Sequence, residues 1–543
     1  MERDRPVQGL GERDGALRRN GFHPTMVSIG RRPADRVFPD GAFLVASVRG
    51  TVVGEEGFLL VFNRGLLRVE RSELTEAAAS FRAAAVLRPE HPVVWFLLGV
   101  TLRTMGRAEE AVAALHVALH LRPGHPDTLF HLASVHLERR RPGCALPALR
   151  RLIALWPGHE GAAFALGSAL MALDDPEEAE RAFRLAALLQ PDGAAVNNNV
   201  GAAIMAQRRP GAALGHFRRA VRIDPARPEH RKNLGIAQLM RGELEEGFRD
   251  YEWRTGQAVW QWNQSFPGKP VWDGGPLDGR TILVHYEQGL GDTVQFVRYF
   301  PLLKARGART VFECQPLLKQ LLATAPGIDM LVARGEALPD FDCCLSLMSL
   351  PHRCRTRADT IPQGIPYLRT DPERAAFWRE RVCGHARPGE LRIGIQWRAD
   401  GGDRSIPLDC FEAVSQVPGA RLFSLQQAVG LDELERLGAR FGIVDLPGRR
   451  AGAEGFRDTA ALAEAMDLVV ACDSVVGHVA GALGRPVFLA LPWLGDWRWM
   501  KHPDCTPWYP AHRLFRMARP NDWQGVMLRV AEAVADEVRR ARS

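Results

Sequence analysis

Apolar and small residues in the first half of the chain recur with a fixed period. Pro89, Pro123, Pro157, Pro191 and Pro225 stand 34 apart without slippage, and Gly65, Gly99, Ala133, Gly167, Gly201 and Gly235 run in phase with them. A mostly apolar column (Leu98, Leu132, Leu166, Val200, Leu234) precedes the second series. Two further columns follow it: Ala77, Ala111, Ala145, Ala179, Ala213, Gly247, and Phe81, Leu115, Leu149, Phe183, Phe217, Tyr251. The spacing predicts two antiparallel helices per unit. Small residues let the pair approach closely, and the aromatic column is expected to fill the gap to the next unit. Proline closes each unit because it cannot continue a helix. Pro142, Pro176 and Pro210 mark second-helix starts, where a missing N–H costs nothing. Pro147 falls inside a second helix and predicts a kink there. One unit cannot bury its apolar face alone, so the units are expected to stack into a solenoid.

From about residue 279 short apolar runs alternate with helical stretches. Strands are predicted at 282–286, 310–314, 329–332, 392–397, 421–425, 443–446, 468–472 and 487–491. Helices are predicted at Thr293–Ala305, Pro316–Ala325, 371–383 and 522–541. Alternating strands and helices argue for parallel sheets with helical crossovers, here two Rossmann-like lobes parted near His385–Glu390. The expected division is a poorly defined extension over 1–57, with a strand-like stretch at Ala42–Val53, then a solenoid of about six repeats over 58–261. A linker and first lobe follow over 262–385, and a second lobe with a returning C-terminal helix over 386–543. The fold class is therefore α plus α/β.

Composition narrows the function. The chain has 543 residues, 46% hydrophobic and 24% charged, which excludes wholesale disorder. No run approaches the roughly 18 apolar residues of a membrane span. The charged start Met1-Glu2-Arg3-Asp4-Arg5 lacks a secretory h-region, so a cytoplasmic location is expected. The formal charge of +7 is carried almost wholly by arginine, without a block of five like charges, and gives no sign of a nucleic-acid partner. The nine cysteines form no Cys-x-x-Cys, which points to reduced thiols rather than a zinc or redox site.

Two resemblances follow from the residues. The 34-residue columns resemble the tetratricopeptide repeat, which implies a protein or peptide partner. In the second half, Trp272-Asp273-Gly274-Gly275-Pro276-Leu277, Glu287-Gln288-Gly289-Leu290-Gly291-Asp292-Thr293, Arg404-Ser405-Ile406-Pro407-Leu408 and Asp473-Ser474-Val475-Val476-Gly477-His478 come in a specific order. Trp497-Arg498-Trp499 and Pro507-Trp508-Tyr509-Pro510 complete the set. This region, about 265–540, resembles the C-terminal domain of bacterial tetratricopeptide glycosyltransferases, glycosyltransferase family 9 and, more distantly, protein O-GlcNAc transferases. The resemblance implies a GT-B pair of lobes, a nucleotide-sugar co-substrate, no other cofactor, no metal, and inverting transfer to a glycan or protein acceptor. The first lobe is shorter than in free-standing heptosyltransferases, which leaves acceptor recognition to the repeats. Two alternatives stand beside it: a non-catalytic repeat scaffold with a degenerate transferase domain, and a protein O-glycosyltransferase.

Asp292, where a strand gives way to its helix, is by resemblance the general base; it reads equally as a helix cap. Gly289 and Gly291 are expected to permit close backbone approach to a ligand. Asp473, Ser474 and His478 open a helix whose unpaired N–H groups suit a diphosphate, and by resemblance form the donor site. The bland alternative is a capped helix with a core histidine. Arg404 is a candidate for neutralising phosphate charge, or a solvated loop arginine, and Gln396 is a candidate for shaping the pocket. Asp340-Phe341-Asp342 has the form of a cation-binding pair but simply precedes an apolar strand. Asn199 and Asn233 share one repeat column; in repeat-bearing protein glycosyltransferases this column lines the peptide groove, and the alternative is an ordinary polar position.

Overall fold

The computed structural model describes residues 55–256, 266–399, 402–447 and 455–543. Ala42–Val53 and nearly all of the 1–57 extension lie outside the described residues. The chain divides into two compact units, one spanning Pro24–Pro225 and the other holding Ala226–Ser543.

The described part of the first unit is five helix pairs: Glu55–Glu70 with Leu74–Leu87, Pro92–Thr104 with Ala108–Leu121, Pro126–Glu138 with Pro142–Leu155, Ala162–Ala172 with Pro176–Leu189, and Ala194–Ala206 with Pro210–Ile223. The glycine column explains their closeness. A Cβ at Gly65, Gly167 or Gly201 would stand 2.6, 2.6 or 2.7 Å from the ring of Phe81, Phe183 or Phe217. The aromatic column thus covers the glycine of its own unit, not the gap to the next as expected. The turn inside each pair is closed at positive φ by Ser72, Gly106, Arg140, Asp174 and Arg208, again 34 apart. The helix bearing Pro147 runs unbroken from Pro142 to Leu155. The proline there removes one i→i−4 bond, and the rest of the ladder carries the helix past it.

The sixth pair, Pro228–Met240 and Leu244–Tyr251, falls in the second unit, so the compact boundary lies well before the expected residue 261. Two parallel sheets fill the rest of that unit. The first has β1 (Thr281–His285), β2 (Arg309–Cys314), β3 (Met330–Ala333) and β4 (Cys343–Ser346) in the order β3-β2-β1-β4. The second has β5 (Leu391–Gln396), β6 (Ala420–Ser424), β7 (Leu468–Cys472), β8 (Val487–Leu491) and β9 (His512–Arg516) in the order β6-β5-β7-β8-β9. β1, β7 and β8 are buried almost end to end, as strands covered on both faces must be. Both orders reverse once, at β1/β4 and at β5/β7. Ligands of open parallel sheets bind beyond the carboxyl ends of the strands at such reversals.

Several elements differ from the pattern reading. The stretch 293–305 is a helix Leu290–Phe296, a tight turn and a helix Phe300–Ala305, and 316–325 keeps only a short helix at Lys319–Leu322. Residues 443–446 contribute one bridge, Val444 to Phe423, rather than a strand. β9 was not foreseen. The last helix, Trp523–Arg542, does not cross the lobes: it lays Val526, Val530, Val534 and Val538 into the core of the second sheet. Among the described residues no helix is long and apolar enough to cross a membrane.

Candidate functional site

The candidate residues of the second half gather at the two reversals. Asp292 lies in the first turn of the Leu290–Phe296 helix after β1; Gln396 ends β5; Asp473 and Ser474 follow β7 and lead into the Val475–Ala482 helix. Ser474 Oγ donates to Gln396 Oε1 at 2.7 Å, tying the ends of β5 and β7 together. The two helices pack on each other. A Cβ at Gly291 would stand 2.8 Å from His478 Cδ2 and 3.3 Å from Nε2. Gly291 therefore makes room for the imidazole itself, not for a ligand as expected. Gly289 is exposed, and its N–H donates to Asp292 Oδ2 at 2.7 Å. Asp292 does cap its helix, from the third helical position. The left-handed residue of this loop is Gln288, at φ 69, rather than either glycine.

His478 is 5% exposed. Its Nδ1 is 3.0 Å from the Tyr509 hydroxyl, and its ring stacks on Trp499 with centroids 5.3 Å apart. Burial, reinforced by the nearby Arg498 charge, drives its pKa far down, so the ring is neutral. Burial pushes the Asp473 carboxyl up to about 6, against the pull of Arg404. The Asp292 carboxyl is raised by burial, opposed chiefly by Arg498. Arg404 is half-buried, with Asp473 and Asp496 as neighbouring carboxylates. Among the described residues no group of three His, Cys, Asp or Glu side chains has the arrangement of a metal site.

The pattern reading missed Arg498 as a site residue. Its guanidinium bonds Asp292 Oδ1 across the lobes and Asp496 Oδ1 at 2.7 Å. No local signal marks this, because Arg498 and Asp292 are 206 residues apart. Other motif residues are structural. Trp272 Nε1 donates to the Gly275 carbonyl at 3.0 Å, and Gly274 takes a φ of 102 that only glycine adopts easily. Asp340 accepts from Lys269 at 2.7 Å and Asp342 from the Thr281 N–H at 2.7 Å, away from the reversals. Trp497, Trp499 and Trp508 are buried. Trp497 and Trp508 pack edge-on against Phe248 of the sixth helix pair.

Asn199 and Asn233 are both fully buried, so neither lines an open groove. The repeats instead carry a column that was passed over: Phe62, Phe96, Phe130 and Phe164, 34 apart and partly exposed. Three of these rings meet a histidine opening the next unit: Phe62 with His91 at 6.2 Å, Phe96 with His125 at 5.4 Å and Phe130 with His159 at 5.0 Å. The ruler that found the glycines would have found them.

The sequence matches the tetratricopeptide repeat family over residues 62–126, 130–196 and 201–252. Residues 62–252 therefore carry such repeats, which suggest a protein-interaction scaffold. Protein FlbA of Caulobacter vibrioides is 27% identical over 329 residues, covering 55% of this chain and 53% of FlbA. The chain thus spans about half the length of this curated relative. Among solved structures, MamA from Desulfovibrio magneticus RS-1 is 22% identical over 32% of this chain and 99% of its own, with a TM-score of 0.31. YrrB, described as a TPR protein with an unusual peptide-binding site, is 23% identical over 31% of this chain and 88% of its own, with a TM-score of 0.30.

Proposed function

We propose that the chain is an inverting glycosyltransferase of GT-B type, whose repeats receive a protein partner or a glycan or protein acceptor. Asp292 takes the proton of the acceptor hydroxyl as that oxygen bonds the anomeric carbon. The anomeric C–O bond to the diphosphate breaks, and its electron pair leaves with the nucleoside diphosphate. Arg404 and the N–H groups of the Val475–Ala482 helix face the developing charge, with Ser474 held by Gln396 and His478 neutral beside them. The reading requires no metal, and it puts the chain in the cytoplasm, where nucleotide sugars are made.

The observation that carries it is the direct packing of the Asp292 turn on the first turns of the helix after β7, Gly291 against His478. The ends of the two sheets at their strand-order reversals thereby meet, and burial raises the Asp292 carboxyl, in the direction of a base that must also release its proton. A thermal-shift panel of ADP-, UDP-, GDP- and dTDP-sugars tests the reading. One class should stabilise the protein, by about 2.7 kcal/mol at a hundred times its Kd. His478→Ala should remove that shift and slow donor hydrolysis. A protein that no nucleotide sugar stabilises is not this enzyme. One observation favours the rival, a non-catalytic scaffold: both Asp292 oxygens are already engaged, by Gly289 and Arg498.

A further inference from the structure

Arg498 organises the charges where the two reversals meet. It comes from the Trp497–Trp499 turn after β8, its side chain is 8% exposed, and its guanidinium lies 4.2 Å from the Trp497 ring centroid. The turn ends at Met500, with φ 49 and ψ −156, a region nearly closed to any residue with a side chain. Such a backbone persists only where the surroundings impose it. Asp292, for its part, has a partner on each oxygen: Oδ2 accepts the Gly289 N–H and Oδ1 accepts Arg498. While the arginine stays, its charge opposes protonation of that carboxyl. Two guanidiniums, Arg404 and Arg498, stand among three carboxylates, Asp292, Asp473 and Asp496. A diphosphate entering here adds negative charge where the cations are already committed. The planar fork of arginine binds phosphate oxygens in the same bidentate manner as a carboxylate, so the two compete for it.

We propose that Arg498 is a positioning residue that latches Asp292 before donor binding and exchanges it for the diphosphate of the donor. The base is then released only once a donor is bound. This rests on the transferase reading above and adds that donor occupancy and base availability are one event.

A double-mutant cycle tests it without any turnover. ADP, UDP, GDP and dTDP are titrated calorimetrically into the full chain, and the one that binds is carried into the variants. Asp292→Asn should tighten binding about tenfold, because Arg498 is no longer divided between two anions. Arg498→Met should weaken binding, and Asp292→Asn should add nothing in that background. Arg498→Lys, a point charge without the fork, should retain part of the coupling, and carries the cycle alone if Arg498→Met does not fold by circular dichroism. If the gain from Asp292→Asn survives loss of the arginine, or is absent in the parent, the latch is wrong and the transferase reading stands. If no nucleoside diphosphate binds the parent, both fall together.

Discussion

Arg254, just past the sixth helix pair, is fully buried against the loop that follows β1. Its Nε and Nη2 donate to Glu287 Oε1 and Oε2 at 2.8 and 2.7 Å, Nη2 also to Ser349 Oγ at 3.0 Å, and Nη1 to Glu252 Oε1 at 2.7 Å. Arg254→Ala takes from Glu287, itself 1% exposed, its bidentate cation and leaves neutral partners such as Ser346 and Gln288. Burial alone would raise the Glu287 carboxyl; Arg254 outweighs it and holds the group below its ordinary value. Removing one member of a buried pair costs about 3–5 kcal/mol, whereas replacing both by apolar groups is near neutral. Arg254→Ala should therefore lose about 3–5 kcal/mol, and Arg254→Met with Glu287→Leu should recover most of it. Urea unfolding followed by tryptophan fluorescence reads this cleanly. Of the 13 tryptophans only Trp95 and Trp156 lie in 24–225, so the signal belongs to the sheet-bearing unit. The depressed carboxyl also fixes the sign with pH: the contribution is present above the unfolded value of 4.5 and is lost as pH falls through the folded one. A penalty under about 1 kcal/mol, or a double variant as unstable as the sum of the singles, refutes the reasoning.

Two further outcomes are expected. Asp473 is raised from 3.8 to about 6, so the folded state holds the extra proton between those values and stability falls as pH rises through that window. Asp473→Asn should gain about 3 kcal/mol relative to the parent above pH 6 and lose that gain below pH 4; a pH-independent difference in unfolding midpoint would contradict it. Gly201→Ala places a methyl 2.7 Å from the Phe217 ring, which has no room to move in a fully buried column. It should cost about 1–3 kcal/mol in circular-dichroism melting, and a neutral result would mean that the helix pair is not held by that contact.

The repeats were legible because a solenoid writes its packing at fixed intervals: Gly65, Gly99, Gly167 and Gly201 are small since Phe81, Leu115, Phe183 and Phe217 lie on them. The sheets were legible wherever a strand is buried on both faces, as in Leu468–Cys472. β9 escaped notice because His512-Arg513-Leu514-Phe515-Arg516 is an edge strand with charged residues interleaved. The ends of β1, β5 and β7 were readable from the apolar runs, so the positions of Asp292, Gln396 and Asp473 at those ends were legible. Their partners were not: Arg498 and Arg254 meet Asp292 and Glu287 only after folding, across 206 and 33 positions of chain. Asn199 and Asn233 misled because a column position fixes a place on the helix and says nothing of what covers it.

The sixth helix pair is welded to the sheets while keeping the repeat signature, so its sequence serves two masters. Tyr251 obeys the 34-residue ruler and, with Phe248, also packs on Trp497, and the Gln288 amide reaches the Tyr251 hydroxyl. A chimera that borrows repeats from a cousin and is spliced after this pair would import a mismatched counterface for Glu287. A splice at 225/226, where the two compact units part, leaves the weld whole.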